Sequence, residues 1–364
     1  MTFDMSAAAV GFGREALLDG DPETAAQTLR PVVAQGKGGF EARYLLASAL
    51  AAAGESAPAA AMLDEARAEH ALQLAAQMGA DLNQLTRDAD YAASVATKLY
   101  GAANVAMSSE IWALARRAGH KSANGWLTHG LALQHQGRCE EAIAVFREVV
   151  ETWPSPAAHA FMLYPHFMVE DGPRRHAAEA RAWAERWAPA GTAEPDLPRR
   201  PLAGRKLRIG YVSPAFAKTQ IHQFIAPVLD AHDRDAVEVF LYPASGEGED
   251  GWRQPITVRP IGQLSDDDAA ALIRADEIDV LVDCWGHSAG SRLPVFARRC
   301  APVQAAWINF VQTPGLGRMD YVLHCDSMAA PGTADLFTEE VWPIGPVCAL
   351  YRPAADRPAP HPAP

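Results

Sequence analysis

Residues 126–154 read WLTHGLALQHQGRCEEAIAVFREVVETWP and set the architecture of the amino-terminal half. Apolar residues recur at helical spacing on both sides of Gly137, which is placed to close a turn between two helices. Glu140–Ile143 opens the second helix, and Pro154 ends the segment. The stretch therefore predicts two antiparallel helices, packed closely enough to need small residues at their contact.

The same pattern recurs along residues 1–190, where Gly20 and Gly54 are 34 residues apart. This period, with these residue types, resembles the tetratricopeptide repeat, a helical hairpin that stacks into a solenoid. The stretch 73–121 is helical in pattern but out of register, and we interpret it as divergent repeats. The repeat framework consists of Gly20, Ala25, Gly54, Ala59, Trp126, Gly130, Gly137, Ala142, Phe146 and Pro154.

Stacked hairpins bury their apolar faces against each other and leave a groove along the solenoid. We expect this groove to hold a protein partner, as an extended peptide or a helix. The alternative is that the solenoid is only a spacer or a dimer surface.

After a Pro-rich and Arg-rich linker at 191–206 the pattern changes to strands that alternate with helices. This alternation predicts a Rossmann-like α/β module with a parallel sheet over 207–352, followed by a Pro/Ala-rich tail at 353–364. Ligands of such sheets bind beyond the carboxyl ends of the strands. The loops that matter are therefore Ser213–Thr219, Asp283–Gly290 and Asn309–Gly315. Predicted strands are 207–213, 237–242, 256–261, 278–283 and 303–308, and predicted helices include 221–232 and 292–299.

The overall composition indicates which classes of partner the protein can bind and in which cellular compartment it lies. The formal net charge of −12 argues against nucleic-acid binding, which needs a basic face. We interpret the basic run at 199–208 as a solvated linker, with a phosphate or RNA patch as the alternative. Five scattered cysteines without a C-x-x-C pair suit a reducing compartment and predict no structural zinc. The sequence shows neither a signal peptide nor a membrane segment, so a cytoplasmic protein without a membrane partner is expected.

The second half resembles the amino-terminal catalytic half of the protein O-linked N-acetylglucosamine transferases, the SPINDLY-like glycosyltransferase family 41. Bacterial members of that family also carry tetratricopeptide repeats. The matching stretches are LRIGYVS at 207–213, VEVFLY at 237–242, DCWGHSAGSRLPVFARR at 283–299, APVQAAW at 301–307, MDYVL at 319–323 and TEEV at 338–341.

The resemblance implies the first half of a two-domain GT-B fold and an inverting transfer to a Ser or Thr hydroxyl. The donor would be a uridine-diphosphate sugar, with no metal and no other cofactor. In the family the second half binds most of the nucleotide, and the sequence ends at Pro364 before such a half. The resemblance also implies a substrate pocket formed by Ser213, Phe216, Thr219, Gly286, His287, Gly290, Asn309, Thr313 and Gly315.

The pocket departs from the family pattern at its reactive positions. The family reads Ser-x-Asp-Phe-x-x-His after the first strand, whereas Ala215 and Thr219 stand in place of the Asp and the His. His222 is a weak candidate for a replacement base, against the alternative of an ordinary helix histidine. His287 is the second candidate, either as a polar pocket group or as a brace for its loop. The acidic run Asp266–Asp268 is interpreted as a helix cap and not as a metal cluster.

Three functions remain open from the sequence. The first is a protein-interaction adaptor that is homologous to the transferases but inactive alone. The second is a transferase completed by a separate chain that supplies the donor-binding half. The third is a fragment of a full-length enzyme.

Overall fold

The computed structural model describes residues 5–77, 79–189, 197, 199–214, 216, 221–245, 252, 255–309, 312–329 and 332–352. These residues form two compact units that divide between Trp153 and Pro154. Thr219, the tail at 353–364 and much of the linker lie outside the described residues. The predicted domain bounds, drawn from sequence pattern, remain a prediction.

The first unit is helical and is built from antiparallel hairpins, as the repeat pattern predicts. Gly20, Gly54 and Gly137 each take a positive φ in the turn of a hairpin, which glycine adopts at no steric cost. Its helices are α1 (Met5–Leu18), α2 (Pro22–Ala34), α3 (Gly39–Ala52), α4 (Ser56–Gln77), α5 (Leu82–Arg87), α6 (Ala89–Gly101), α7 (Val105–Arg117), α8 (Ala123–His135) and α9 (Cys139–Thr152).

The stretch that is out of register in the sequence contains a regular hairpin, α6–α7. In the turn of this hairpin Ala103 has a positive φ of 61°. Its N–H donates to the carbonyl three residues earlier, as the N–H of Gly137 does in the next hairpin. Ala103 lies 34 residues before Gly137, so the period is intact at this point. The repeat is hard to see in the sequence because alanine occupies the left-handed position and the short helix α5 is inserted before it.

The second unit begins with α10 (Pro156–Leu163), a 3-10 turn at Pro165–Met168 and α11 (Gly172–Trp187). The sheet follows, with its strands joined by α12, α13, α14 and short 3-10 turns. The remaining bounds are β1 (Leu207–Ser213), α12 (His222–Ala231), β2 (Val237–Pro243), β3 (Thr257–Val258), α13 (Asp266–Ala275), β4 (Val280–Asp283), α14 (Leu293–Phe296), β5 (Val303–Ala306), β6 (Tyr321–His324) and β7 (Glu340–Pro343).

The sheet has the order β3-β2-β1-β4-β5-β6-β7, and its paired strands are all parallel. This confirms the predicted Rossmann-like α/β class. The order reverses between β1 and β4, where Ile209 pairs with Val280. A ligand crevice is expected at the carboxyl ends of these two strands.

Several predicted elements are shorter than expected, and two of them have clear local reasons. The predicted strand 256–261 is reduced to β3, because Pro260 has no N–H to donate to a ladder. The predicted helix 292–299 is reduced to α14, which stops before Arg299 takes a positive φ of 55°.

One core cluster of the second unit joins α11 to the sheet. Trp183, Ala184 and Ala188 are buried together with Val212 of β1 and Leu281 of β4. Since α11 supplies a large indole to this cluster, it is structurally part of the α/β unit. The opposite face of the sheet packs against α12 through Ile225 and Leu229.

The basic run before β1 is neutralised by ion pairs. Arg205 donates to both carboxylate oxygens of Asp279, at 2.6 and 2.8 Å. Arg200 pairs with Glu277, and Arg208 pairs with Glu238 at 2.9 Å. These pairs tie the start of the sheet to the turn before β4, which weakens the phosphate-patch interpretation.

Candidate functional site at the carboxyl ends of the strands

The candidate site begins where β1 and β4 end side by side. Ser213, the last residue of β1, is buried, and its carbonyl accepts the N–H of Ala244 at 2.9 Å. Gly290 closes the loop after β4 with φ 86°, and a Cβ there would lie 3.1 Å from Cγ of Pro214. The loops after β1 and β4 therefore approach each other.

Asp283 ends β4 as a fully buried carboxyl group. Its two oxygens accept the N–H groups of Gly286 at 2.7 Å and of Trp285 at 3.4 Å. Burial raises the pKa of Asp283 to about 7, although both hydrogen bonds act in the opposite direction. The carboxyl therefore closes the turn that contains Gly286, which has φ 59°.

His287, in the same loop, is buried. Its Nε2 is 2.9 Å from the carbonyl oxygen of Pro314, which only accepts, so Nε2 carries the proton. The ring packs edge-on to Trp183 of α11 at 4.6 Å between centroids. Burial lowers the pKa of His287 to about 3, so the ring is neutral at physiological pH. This geometry favours the bracing role; the pocket role stays a prediction.

The loop after β5 starts with a strained turn. Ile308 has φ 80°, and the N–H of Asn309 donates to the carbonyl of Trp307 at 3.3 Å. A β-branched residue at positive φ is rare and costs about 1–3 kcal/mol. The side-chain nitrogen of Asn309, Nδ2, donates to the carbonyl of Trp285 at 3.1 Å and to the hydroxyl of Ser288 at 3.0 Å. The side chain of Asn309 thus ties the loop after β5 to the loop after β4.

Thr313 is buried and hydrogen-bonds within the protein. Its hydroxyl donates to the carboxylate of Glu339 at 2.6 Å and accepts the N–H of Gly315 at 2.9 Å. Burial raises the pKa of Glu339, which also accepts the N–H of Leu316 at 3.2 Å. Thr313 and Glu339 together shape the second half of this loop.

The close contact between this loop and α11 requires a glycine at position 315. It has φ 76°, and a Cβ there would lie 2.5 Å from the backbone carbon and oxygen of Ala180. The absence of a side chain at Gly315 therefore lets the loop touch the helix backbone. A role of Gly315 in approaching a sugar remains a prediction.

His222 and Phe216 lie on the α12 side of the sheet. Phe216 is buried in the cluster that α12 forms with β1 and β2. His222 begins α12, and its ring lies 5.1 Å from the ring of Trp252. Its Nδ1 is buried and has no hydrogen-bond partner among the described residues. His222 and His287 thus belong to different clusters, and their catalytic roles stay predictions.

Sequence reasoning missed Asp283, Glu339 and Ile308 as site residues. The sequence does contain a signal for Asp283. An acidic residue that ends a buried strand, at the edge of the sheet where ligands are expected, is a candidate for a perturbed pKa. Glu339 and Ile308 had no such signal, since their positions depend on distant loops. Across the described residues, no cluster of His, Cys, Asp or Glu could hold a metal ion. No helix in the described part of the chain is long and apolar enough to span a membrane.

Comparisons with known proteins agree with this architecture. The profile described as glycosyl transferase family 41 matches residues 136–342. A probable UDP-N-acetylglucosamine–peptide N-acetylglucosaminyltransferase, SEC of Arabidopsis thaliana, is 30% identical over 175 residues, which is 46% of this chain and 18% of that protein. The UDP-N-acetylglucosamine–peptide N-acetylglucosaminyltransferase of Caenorhabditis elegans is 32% identical over 145 residues, 38% of this chain and 12% of that protein. This chain thus spans less than a fifth of either relative.

A solved structure extends the similarity to the whole chain. A point mutant of the Thermobaculum terrenum O-GlcNAc transferase superposes with a TM-score of 0.64 at 26% identity. The match covers 100% of this chain and 62% of that chain. The similarity therefore includes both the helical repeats and the α/β module.

Proposed function

The chain belongs to glycosyl transferase family 41, and we propose that it acts as a protein-interaction adaptor derived from a protein O-GlcNAc transferase. In this proposal the helical repeats bind a protein partner, and the α/β module transfers no sugar by itself. The relatives named above are UDP-N-acetylglucosamine–peptide transferases, so the ancestral reaction would be transfer from UDP-N-acetylglucosamine to a Ser or Thr hydroxyl.

The proposed loss of transfer is supported by how the loops at the strand ends use their polar groups. His287 donates to Pro314, Thr313 to Glu339 and Asn309 to Trp285. In the sequence the three loops carry one basic residue, Lys218, which lies outside the described residues. A nucleotide diphosphate needs cations or free N–H donors to stabilise its charge. The side chains of His287, Thr313 and Asn309 are here engaged in holding the loops together.

A calorimetric titration tests the loss of transfer. Uridine diphosphate and UDP-N-acetylglucosamine are titrated separately into the full chain, with the Thermobaculum terrenum transferase as the positive control. We expect no saturable binding heat at nucleotide concentrations up to millimolar. In a parallel transfer assay we expect no labelled sugar on a peptide that contains Ser and Thr. Micromolar binding accompanied by transfer from the chain alone would overturn the proposal.

The adaptor role is supported by a groove within the helical unit. A cavity of about 400 Å³ is lined by residues of α4, α7, α8 and α9. Arg116 and Arg138 border it, each held by a carboxylate, Glu148 and Glu110 respectively. These side chains are pre-ordered, so a partner that binds them loses less rotamer entropy.

A groove variant tests this role. Ala144→Trp fills the groove from the exposed face of α9, whereas Ala51→Trp places the same bulk on an exposed position of α3. We expect the partner that co-purifies with the native chain to be lost with Ala144→Trp and kept with Ala51→Trp. Equal retention by both folded variants would place the contact elsewhere.

A second candidate, a transferase completed by a partner chain, is favoured by one observation. Five large apolar side chains at and beyond β7 are exposed by between 44% and 60%, far more than core residues. Such a concentration often marks an interaction surface. Double substitution Val347→Asp with Leu350→Asp should then abolish transfer activity that co-purifies with the chain. The five residues are Trp342, Ile344, Val347, Leu350 and Tyr351.

A further inference from the structure

We propose that Cys325 and Cys348 form a redox-modification site, which a peroxide converts from two free thiols into a disulfide. Both cysteines are free in this structure. They lie beyond the ends of β6 and β7, outside the loops described above. The inference does not depend on the proposed function.

The two cysteines are brought together by the pairing of β6 with β7. The N–H of Ile344 donates to the carbonyl of His324 at 2.8 Å, and the N–H of Asp326 donates to the carbonyl of Gly345 at 2.9 Å. The pairing therefore continues past both strands and delivers Cys325 close to the segment that carries Cys348.

The backbone of Cys348 is held in place by Trp307, the residue that follows β5. Its carbonyl accepts the indole N–H of Trp307 at 2.8 Å. The side chains of Cys325 and Cys348 interact with each other, so the two thiols lie close together. A disulfide forms most readily between close thiols with little backbone movement, and the hydrogen bonds on both segments restrict that movement.

Cys325 is suited to react first. Its sulfur lies 3.3 Å from the Ser327 hydroxyl, and the Ser327 hydrogen bond is the main cause that lowers the pKa of Cys325. By contrast, burial raises the pKa of Cys284 and of Cys300. Since the thiolate is the nucleophile, oxidation should begin at Cys325 and leave Cys284 and Cys300 reduced.

The chemistry balances with one hydrogen peroxide. The Cys325 thiolate attacks one peroxide oxygen, an S–O bond forms, the O–O bond breaks and hydroxide leaves to become water. The Cys348 sulfur then attacks the Cys325 sulfur, forming the S–S bond and breaking the S–O bond. The second hydroxide takes the Cys348 proton and also leaves as water, so two thiols are oxidised while one peroxide is reduced. A dithiol such as dithiothreitol reverses the bridge by exchange.

The bridge would join the segment after β6 to the segment after β7, the strand at one edge of the sheet. Closing a loop of this length removes conformational freedom from the unfolded chain. We expect oxidation to raise the melting temperature of the α/β unit by about 5–10 °C. The edge of the sheet would thus become more rigid under oxidising conditions.

The test treats the native full chain with hydrogen peroxide and maps its peptides without reduction. We expect a Cys325–Cys348 linked peptide, loss of two hydrogens in intact mass, and full reversal by dithiothreitol. Because the native chain is used, a folding defect in a variant does not affect this result. Linkage that involves Cys139, Cys284 or Cys300 in the folded chain, or retention of both thiols, would overturn the proposal.

Variants then assign the roles. Cys348→Ser should leave Cys325 carrying a sulfenic or sulfinic acid, because no resolving thiol remains. Cys325→Ser should leave Cys348 largely unmodified at the same peroxide dose. Cys300→Ser is the matched control and should form the bridge as the native chain does. Equal oxidation of the two single variants would contradict the proposed order of attack.

Discussion

At the scale of single residues, the burial of Asp283 makes the stability of the folded chain depend on pH. Its pKa of about 7 in the folded chain lies above the value near 3.9 that an unfolded aspartate has. The folded chain therefore binds this proton more tightly than the unfolded chain between these pH values. The resulting stabilisation is complete below about pH 4 and is lost as the pH rises through 7.

The substitution Asp283→Asn tests this linkage. Asparagine does not titrate, so we expect the native chain to lose about 2–4 kcal/mol of unfolding free energy relative to the variant between pH 4 and pH 8. Urea denaturation at several pH values measures the difference. Asp19→Asn, at an exposed position, should run parallel to the native chain. Parallel curves for Asp283→Asn as well would show that this carboxyl is ionised throughout.

Gly315 offers a second test, of the contact between a loop and α11. Gly315→Ala adds a methyl group 2.5 Å from the Ala180 backbone, at a φ of 76°. We expect a loss of about 2–4 kcal/mol, because left-handed backbone and overpacking both carry a cost. Gly317→Ala is the control, since a Cβ there meets no heavy atom within 4 Å. Thermal denaturation compares the two, and equal melting temperatures would contradict the close approach.

At the scale of elements, the α8–α9 hairpin depends on one missing side chain. A Cβ on Gly130 would lie 2.2 Å from Cε1 of Phe146, whose ring is fully buried. Glycine inside a helix is otherwise unfavourable by about 0.5–1 kcal/mol relative to alanine. Its presence here is explained by the ring that fills the space above it.

Gly130→Ala should therefore destabilise the helical unit, by about 1–3 kcal/mol as Phe146 is displaced. Gly11→Ala in α1 is the matched control, because a Cβ there meets nothing within 4 Å. We expect that control to be neutral or to gain up to about 1 kcal/mol from helix propensity. Helical circular dichroism during denaturation measures both. A stabilised Gly130→Ala variant would show that the hairpin can open without cost.

At the scale of the whole molecule, the compact units divide before α10 and not after α11. Trp183, Ala184 and Ala188 share a core cluster with the sheet. Arg181 also donates to the carbonyl of Asp335 and to the hydroxyl of Thr338, both at 3.3 Å. These contacts make α11 part of the wall that supports the candidate site.

Two truncations test this organisation. A chain that starts at residue 154 should unfold cooperatively, whereas one that starts at 191 exposes the site vacated by Trp183. We expect the shorter chain to lose at least about 3 kcal/mol, the usual cost of removing a buried large side chain. Melting monitored by near-ultraviolet dichroism compares them. Equal melting temperatures would show that α11 adds nothing to the sheet.

Local pattern was enough to predict the helical repeats, the strands that alternate with helices, and the loops beyond the strand ends. Those features depend on residue types at fixed spacing, such as Gly20 and Gly54 or the apolar run of β1. A period or a strand is set by neighbours in the chain, so it can be read from the chain. The family resemblance rested on stretches of this kind, and the comparisons confirm it.

Contacts between distant segments decided the rest. Ala103 occupies a position that is glycine in other hairpins, α11 joins the sheet, Asp283 becomes buried, and Cys325 lies close to Cys348. Each of these depends on which segments the fold packs together, because burial and proximity are set by neighbours in space. The bracing of His287 by the Pro314 carbonyl belongs to the same class, and no spacing in the sequence encodes it.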